Sequence, residues 1–537
     1  MLSGMKKVIA VILVFFSQLL IFPAISAADS VPDEQFILES ALSSGANDKI
    51  GVNFQDDEYS FPTMLYSYEI VNKRQETISF CNGLDDAACA SASYMRYNAL
   101  MPPCKSSADF DCIESIYAIE PGKPTRIEGI YKESIPEEVG HPYKADPARG
   151  LPQGSLSGVW EIPGIKHGGG STTFAAIVSR TGSLERNGTT WRQLDQANFS
   201  AGIYPVIIVR DARYQTGVVE FSTYNGHSSV SAANILSNSE YDKCAIFGNG
   251  VCGLRQSFPD DIQFGMVIRF SNVINGWMHG RINSPEIDYE LTDYGTRVDM
   301  KGLATRVPIA AGRANASDFT EKELNTWNLS GNRAAIIQPE PSGIGSMAFL
   351  NRWAGFLNDK AAANPSQWNF YNLPVDQMNA ASSCIKSSKT LAGFVTTNST
   401  TYAGSPPIFN KKTGTLDYKV ASLHYLPDGK VFQGKYTLYI DSKVARCIYK
   451  FSNAPISAKV SITSADGEEQ SIATTSLNER NGWIQLSAIG FTFSSPTIKV
   501  KLMQEKSKKN TITCSKGMTS KKVSAISPKC PKGFTKV

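Results

Sequence analysis

Ten cysteines constrain this chain more than any other feature, because six of them form three pairs with one spacing. Cys81 and Cys89, Cys104 and Cys112, and Cys244 and Cys252 each have seven residues between them, while Cys384, Cys447, Cys514 and Cys530 fall in the C-terminal third. An even number of cysteines behind an export signal reads as a disulfide framework, since thiols oxidise outside the cytoplasm. Local pairing of the matched cysteines closes short loops worth about 2.6 kcal/mol each through chain entropy. The first four can instead nest as Cys81–Cys112 and Cys89–Cys104. Cys514–Cys530 follows from isolation in the tail, and Cys384–Cys447 by elimination. There is no C-x-x-C and the five histidines are dispersed, so a zinc site has no ligand pattern.

The export signal is the opening MLSGMKKVIAVILVFFSQLLIFPAISAADS. Lys6 and Lys7 supply its charged end, residues 8–22 its apolar middle, and Ala24, Ser26, Ala27 and Ala28 a peptidase site, which gives a signal peptide over 1–27. No later stretch approaches the ~18 apolar residues of a spanning helix. The mature chain is therefore expected to carry no transmembrane segment and to be secreted, extracellular or cell-wall associated. Its length suggests two to four domains, each large enough to bury a core, so the disulfides are expected to staple loops.

The net charge of +4 conceals an asymmetry: from Lys499 onward there are eleven lysines and one acid, Glu505. A basic tail on an acidic body suits an anionic cell-envelope polymer as partner. The tail lacks the interleaved aromatics of a single-strand nucleic-acid platform, so nucleic acid is not expected. Nothing resembles a phosphate-binding glycine loop, and no cofactor is expected.

Most of the body reads as strands. TTFAAIVS (172–179), Val206-Ile207-Ile208-Val209 and GMVIRF (265–270) are short apolar runs. Tyr436, Leu438 and Ile440 alternate, as do Ala445, Cys447, Tyr449 and Phe451 in ARCIYKF, and Ile456, Ala458, Val460 and Ile462, with Asp466-Gly467 and Asn481-Gly482 as hairpin turns. Helical signals lie between the β-rich regions. Thr320 to Glu323 is a capping box with Phe319 and Leu324 as its staple, and Phe349, Leu350, Trp353 and Leu357 recur at helical spacing as a packing stripe. The expected fold is mainly β and multidomain, with β-sandwich-like domains, a short helical insertion and disulfide-stapled loops. The expected divisions are a cysteine-loop region and linker over 28–148, a β-rich domain over 149–314, a helical connection over 315–383, a β-sandwich-like domain over 384–505 and a basic disulfide-bridged tail over 506–537.

Candidate chemistry is sparse. His167-Gly168-Gly169-Gly170 matches the oxyanion-hole string of lipases and esterases, but no G-x-S-x-G elbow accompanies it, so it reads as a flexible hairpin loop with an exposed histidine. His141, His227, His279 and His424 show no ligand spacing, and His279 and His424 read as packed or edge histidines. Asp85, Asp86, Asp109 and Asp111 in the cysteine loops can donate oxygens to calcium, yet no D-x-D-x-D-G pattern accompanies them. Trp160, Trp277 and Trp483 sit in strand-like segments, where core packing is the default.

The end ITCSKGMTSKKVSAISPKCPKGFTKV resembles a cysteine-bridged, lysine-rich tail of assorted secreted actinobacterial proteins. Residues 383–502, with SCIKSSKTLAGFVTTNST, LHYLPDGKVFQGKYTLYI and GWIQLSAIGFTFSSPTIKVKL, are similar to uncharacterised secreted proteins of the same bacteria. The resemblance implies export and a cell-envelope setting and brings no catalytic residues. The expected function is that of a secreted or cell-envelope-associated, non-catalytic binding or structural protein. The alternative is a secreted hydrolase acting on a polysaccharide or ester.

Overall fold

A computed structural model describes residues 33–36, 48–54, 62–72, 74–135, 140–188, 190–194, 198–212, 214, 220–224, 227–231, 243–327, 335–452, 456–463, 469–470, 474–493, 496–504, 510–525 and 528–537. The signal over 1–27 and the Asp466-Gly467 turn lie outside these residues. The described chain is mainly β, with several sheets and short helices. Among the described residues no helix is long and apolar enough to cross a membrane.

One ladder runs through most of the molecule. Strand Tyr94–Leu100 pairs with Thr173–Asn187, which pairs with Asn198–Arg210, then Asn369–Asn372, then Gly276–Thr292. Gly276–Thr292 pairs in parallel with Leu391–Thr397, which continues through Gly434–Asp441 and Trp483–Phe491 to Thr474–Arg480. Further along, residues 282–292 of the same strand form a hairpin with Gly295–Arg306, and the sheet extends through Gln263–Phe270 to Cys112–Ile119. Hydrogen bonding thus crosses positions 314 and 384 without a break.

The sandwich over the C-terminal part follows from alternation. Strands Thr415–Ala421, Thr497–Gln504 and Ile456–Thr463 pair side by side and turn Tyr418, Val420, Ile498, Val500, Val460 and Ile462 inward. These pack against Tyr436, Leu438, Ile440, Ile484 and Leu486 from the long ladder in one continuous core. The helical insertion closes a flank of the same core. Thr320 accepts from the Glu323 N–H at 3.2 Å while the Glu323 carboxylate accepts from the Thr320 N–H at 2.8 Å, and the staple residues Phe319 and Leu324 are buried. Helix Ile344–Ala354 buries Met347, Leu350 and Trp353 as a packing stripe.

Five disulfides join Cys81–Cys89, Cys104–Cys112, Cys244–Cys252, Cys384–Cys447 and Cys514–Cys530, with Cα separations of 5.1 to 5.9 Å. The last lies within a small sheet of Asn510–Lys516, Thr519–Ala525 and Thr535–Lys536, so the described part of the basic end is folded. Lys499 and Lys501 do not belong to it: they stand on the strand Thr497–Gln504.

ARCIYKF is not a strand. Ser442–Tyr449 is a helix, started by Asp441, whose carboxylate accepts from the Lys443 and Val444 amides at 2.8 and 3.0 Å, and ended by Lys450 in the left-handed region at φ 57°. Val444, Ala445 and Ile448 share its buried face. Over so few residues an alternating run also satisfies a helical stripe, and the cap decides between them.

Candidate functional site: a neutral cleft and a charged groove

The cleft is built on one row of the ladder. Ser179, Ser200, Tyr371 and His279 are successive cross-strand partners, and the row continues into Val395, Leu438 and Leu486 of the core. Cross-strand partners project to the same face. A polar floor therefore gives way to apolar core at His279.

Over that floor opens a cleft of about 480 Å³, lined also by Asn53, Thr181, Asn198, Asn372, Gln377 and Tyr402. Segment 338–342 closes one side, fastened where the Gly343 N–H donates to the Tyr402 carbonyl at 2.8 Å and the Tyr402 N–H to the Pro341 carbonyl at 3.1 Å. Buried polar groups hold each other in place. The Ser179 hydroxyl donates to Asn98 Oδ1 at 2.8 Å, Asn372 Oδ1 accepts from the Phe199 N–H at 2.5 Å, and the Tyr371 and Tyr402 hydroxyls bond to each other. Amides, hydroxyls and phenols dominate, and among the described residues the lining carries one carboxylate, the exposed Glu340.

Behind the floor, the His279 ring stacks on Tyr402 with centroids 3.8 Å apart and planes within 4°. His279 is a packed histidine. Burial, reinforced by Arg281, pushes its pKa well below the usual histidine value, so the ring is neutral near neutral pH. Arg281 lies 4.6 Å from the Tyr402 ring centroid and donates to the carbonyls of Thr397 and Ser399 at 3.0 and 2.7 Å. The cleft wall is thereby braced from the core side.

A second concavity, about 530 Å³, separates the hairpin of Gly276–Thr292 and Gly295–Arg306 from the hairpin of Thr474–Arg480 and Trp483–Phe491. Its chemistry is ionic. Asp299 accepts from the Tyr117 hydroxyl at 2.6 Å and pairs with Arg126 at 2.6 Å, and Arg126 stacks 4.0 Å above the Tyr117 ring. Gly265 makes the crossing possible, since a Cβ there comes within 2.1 Å of that ring. Burial, then the Asp299 charge, raises the Tyr117 pKa above the ordinary phenol range. Asp288 lies directly opposite Asp299 in the ladder, and Glu286 pairs with Lys301 at 3.1 Å. Half-buried Trp483 faces them with Asn478, Arg480 and Gln485. Of the three tryptophans in strand-like segments, Trp160 and Trp277 are core residues and Trp483 alone lines a concavity.

The H-G-G-G segment belongs to neither, and its histidine is not exposed. His167 is 4 % exposed, with Nε2 3.1 Å from the Val206 carbonyl and Nδ1 accepting from the Gly169 N–H at 3.1 Å. The Gly168 amide donates to the Ser257 carbonyl at 2.9 Å and the Gly170 amide to the His167 carbonyl at 2.8 Å. All three glycine amides are committed, and none is left to hold an oxyanion. A Cβ on Gly168 would meet Ser257 Oγ at 1.9 Å, so close packing explains that glycine.

The acids of the cysteine loops also have partners. Asp85 takes both Arg149 guanidinium nitrogens, Asp86 accepts from Asn82 and Ala88, Asp109 from Lys105 and Ser106, and Asp111 forms a buried pair with Arg180. Among the described residues no group of three or more His, Cys, Asp and Glu is placed to hold a metal ion. His141 stacks on Phe80, and the His227 side chain lies outside the described residues. His424 Nδ1 meets Asp359 at 2.5 Å, a base-and-orienter pair, but no hydroxyl among the described residues hydrogen-bonds its other ring nitrogen.

No protein-family model, curated protein or solved structure matches this chain.

Proposed function

We propose that the protein is a secreted or cell-envelope-associated, non-catalytic binding protein whose neutral cleft holds a segment of a hydroxyl-rich polysaccharide. One observation carries the reading: a cleft of buried and half-buried amides, hydroxyls and phenols drawn from separate strands, with a single, exposed carboxylate among the described lining residues. Such groups exchange hydrogen bonds with sugar hydroxyls, while glycoside hydrolysis commonly needs two facing carboxylates. Five disulfides support an oxidising compartment, and the signal peptide and the likeness to secreted actinobacterial proteins support an envelope setting. The lysine-rich end adds salt-dependent attachment to an anionic envelope polymer.

The test is retention of the purified protein on immobilised neutral polysaccharides (dextran, mannan, xylan), with and without Thr181→Ala/Asn198→Ala. The double variant should lose about tenfold in affinity, the worth of one or two hydrogen bonds. If no neutral polysaccharide is retained, or if the variant binds as the parent does, the reading fails. A second reading, a polysaccharide hydrolase working in the charged groove, is favoured by Asp288 standing opposite Asp299. Release of reducing ends that disappears in Asp288→Asn would establish it.

A further inference from the structure

We infer that the outer face of the sheet Thr415–Ala421, Thr497–Gln504 and Ile456–Thr463 is a docking surface for a linear phosphate polymer. It is separate from the neutral cleft and from the small basic sheet at the end of the chain. The register fixes which side chains face out. Leu416, Val500 and Val460 form one inward row, and Tyr418, Ile498 and Ile462 another. The rows between them therefore face solvent: Asp417, Lys499 and Ser461, then Lys501 with Lys459, and at the other end Lys419, Thr497 and Thr463.

On these three strands four lysines thus share one face with a single acid, and Glu469, opposite Thr463 on the edge strand, stands at the far end of the row that carries Lys419. The Asp417 carboxylate is already engaged by the Thr415 hydroxyl at 2.5 Å and Asn410 Nδ2 at 3.1 Å. Lys459 is directly across the ladder from Lys501, a like-charge placement that disfavours the sheet. Thr, Ser or Gln keeps a face wet without that penalty. Among the described residues none of Lys419, Lys459, Lys499 and Lys501 has a carboxylate partner. Lysines two apart on a strand stand about 6.7 Å apart and cross-strand neighbours about 5 Å apart. One extended polyanion therefore meets several cations at once, which no singly charged ligand can do.

All four cations are lysines, compact point charges of the kind that binds phosphate oxygens, whereas an arginine fork would match carboxylate and phosphate alike. None of these rows carries an aromatic side chain on which a base stacks, which disfavours single-stranded nucleic acid.

The experiment measures retention of the full-length, disulfide-intact protein on immobilised long-chain inorganic polyphosphate across a salt series. Parallel runs use polygalacturonate and single-stranded DNA. Variants are Lys459→Ser/Lys501→Ser on the face and Lys521→Ser/Lys522→Ser on the terminal sheet. Removing the facing pair should lower the slope of log affinity against log salt by about 1.5, as loss of two phosphate contacts requires. Its thermal midpoint should stay equal or rise, because the repulsion is gone, so weaker binding is not unfolding. The terminal-sheet variant should keep the contribution of the face. An unchanged slope in the facing-pair variant overturns the site. Tighter binding of polygalacturonate or DNA than of polyphosphate overturns the assigned partner.

Discussion

The neutral cleft and the charged groove are built on the same strand, Gly276–Thr292, yet they use opposite chemistry. His279 and Arg281, at its start, back a cleft whose lining is amides, hydroxyls and phenols. Glu286 and Asp288, further along, line a groove whose walls are held by ion pairs. The difference follows from what covers the strand. Residues 276–281 lie inside the ladder between Asn369–Asn372 and Leu391–Thr397, where a charge has to be bonded, as the Arg281 guanidinium is to the Thr397 and Ser399 carbonyls. Beyond that cover only one neighbour remains and water reaches the face, so charges are tolerated there: Glu286 stands opposite Lys301, Glu290 opposite Arg297, and Asp299, opposite Asp288, is paired with Arg126. Burial along one strand thus sorts a recognition surface from an ionic one.

Arg281→Met gives the sharpest test of this division. It removes the brace to two carbonyls and the cation over Tyr402, and should cost about 3 kcal/mol of stability, since hydrogen bonds to charged groups are the strong ones. Polysaccharide binding in the cleft should fall with it. A loss below about 1 kcal/mol in chemical denaturation would mean that the cleft does not depend on its core-side support.

Asp299→Ala strikes the groove. The Tyr117 hydroxyl and Arg126 lose their shared acceptor, at a cost of about 2 kcal/mol for a buried phenol left unpaired. Cleft affinity measured on the folded variant should be unchanged. A parallel loss of cleft affinity would break the comparison by joining the two sites.

The smallest effect is in acid. Glu114 is held by Arg297 and then Arg269, and its carboxyl falls from 4.5 to about 2. A depressed carboxyl contributes stability that is complete above its unfolded value and lost as pH drops through the folded one. Melting temperature should therefore decline between pH 4.5 and 2, and Glu114→Gln should flatten that decline. Cleft binding should stay level from pH 6.5 to 8, since burial holds the His279 ring in its neutral form there.

The sequence made the framework readable where the cause is local. Cysteine spacing, the Thr320 capping box and the alternation around Tyr436 and Val460 each act within a few residues. Ser442–Tyr449 misled because its apolar residues satisfy two periods, and the deciding Asp441 cap sits one residue ahead of it. His167 misled because glycines imply an open loop, whereas Ser257 and Val206, far along the chain, bury it. The cleft gave no motif, as its lining comes from strands as far apart in the chain as those of Asn53 and Tyr402. One trace was present: Ser200 breaks the apolar run after Phe199 and Ser179 ends the run Phe174–Val178, which in a buried ladder marks a polar floor.

The parallel pairing of residues 276–280 with Leu391–Thr397 has a consequence for the order of assembly. The partner strand arrives more than a hundred residues later, after the whole helical insertion. Until then the edge of Gly276–Thr292 is an open template of unsatisfied amides and carbonyls, the kind of edge that recruits other chains. Contacts this distant close slowly, because loop entropy is lost before any contact repays it. Cys384 and Cys447 flank the segment that contains both Leu391–Thr397 and Gly434–Asp441. Oxidation of that pair closes one loop around both late strands, which shortens the search by which they meet each other and that edge.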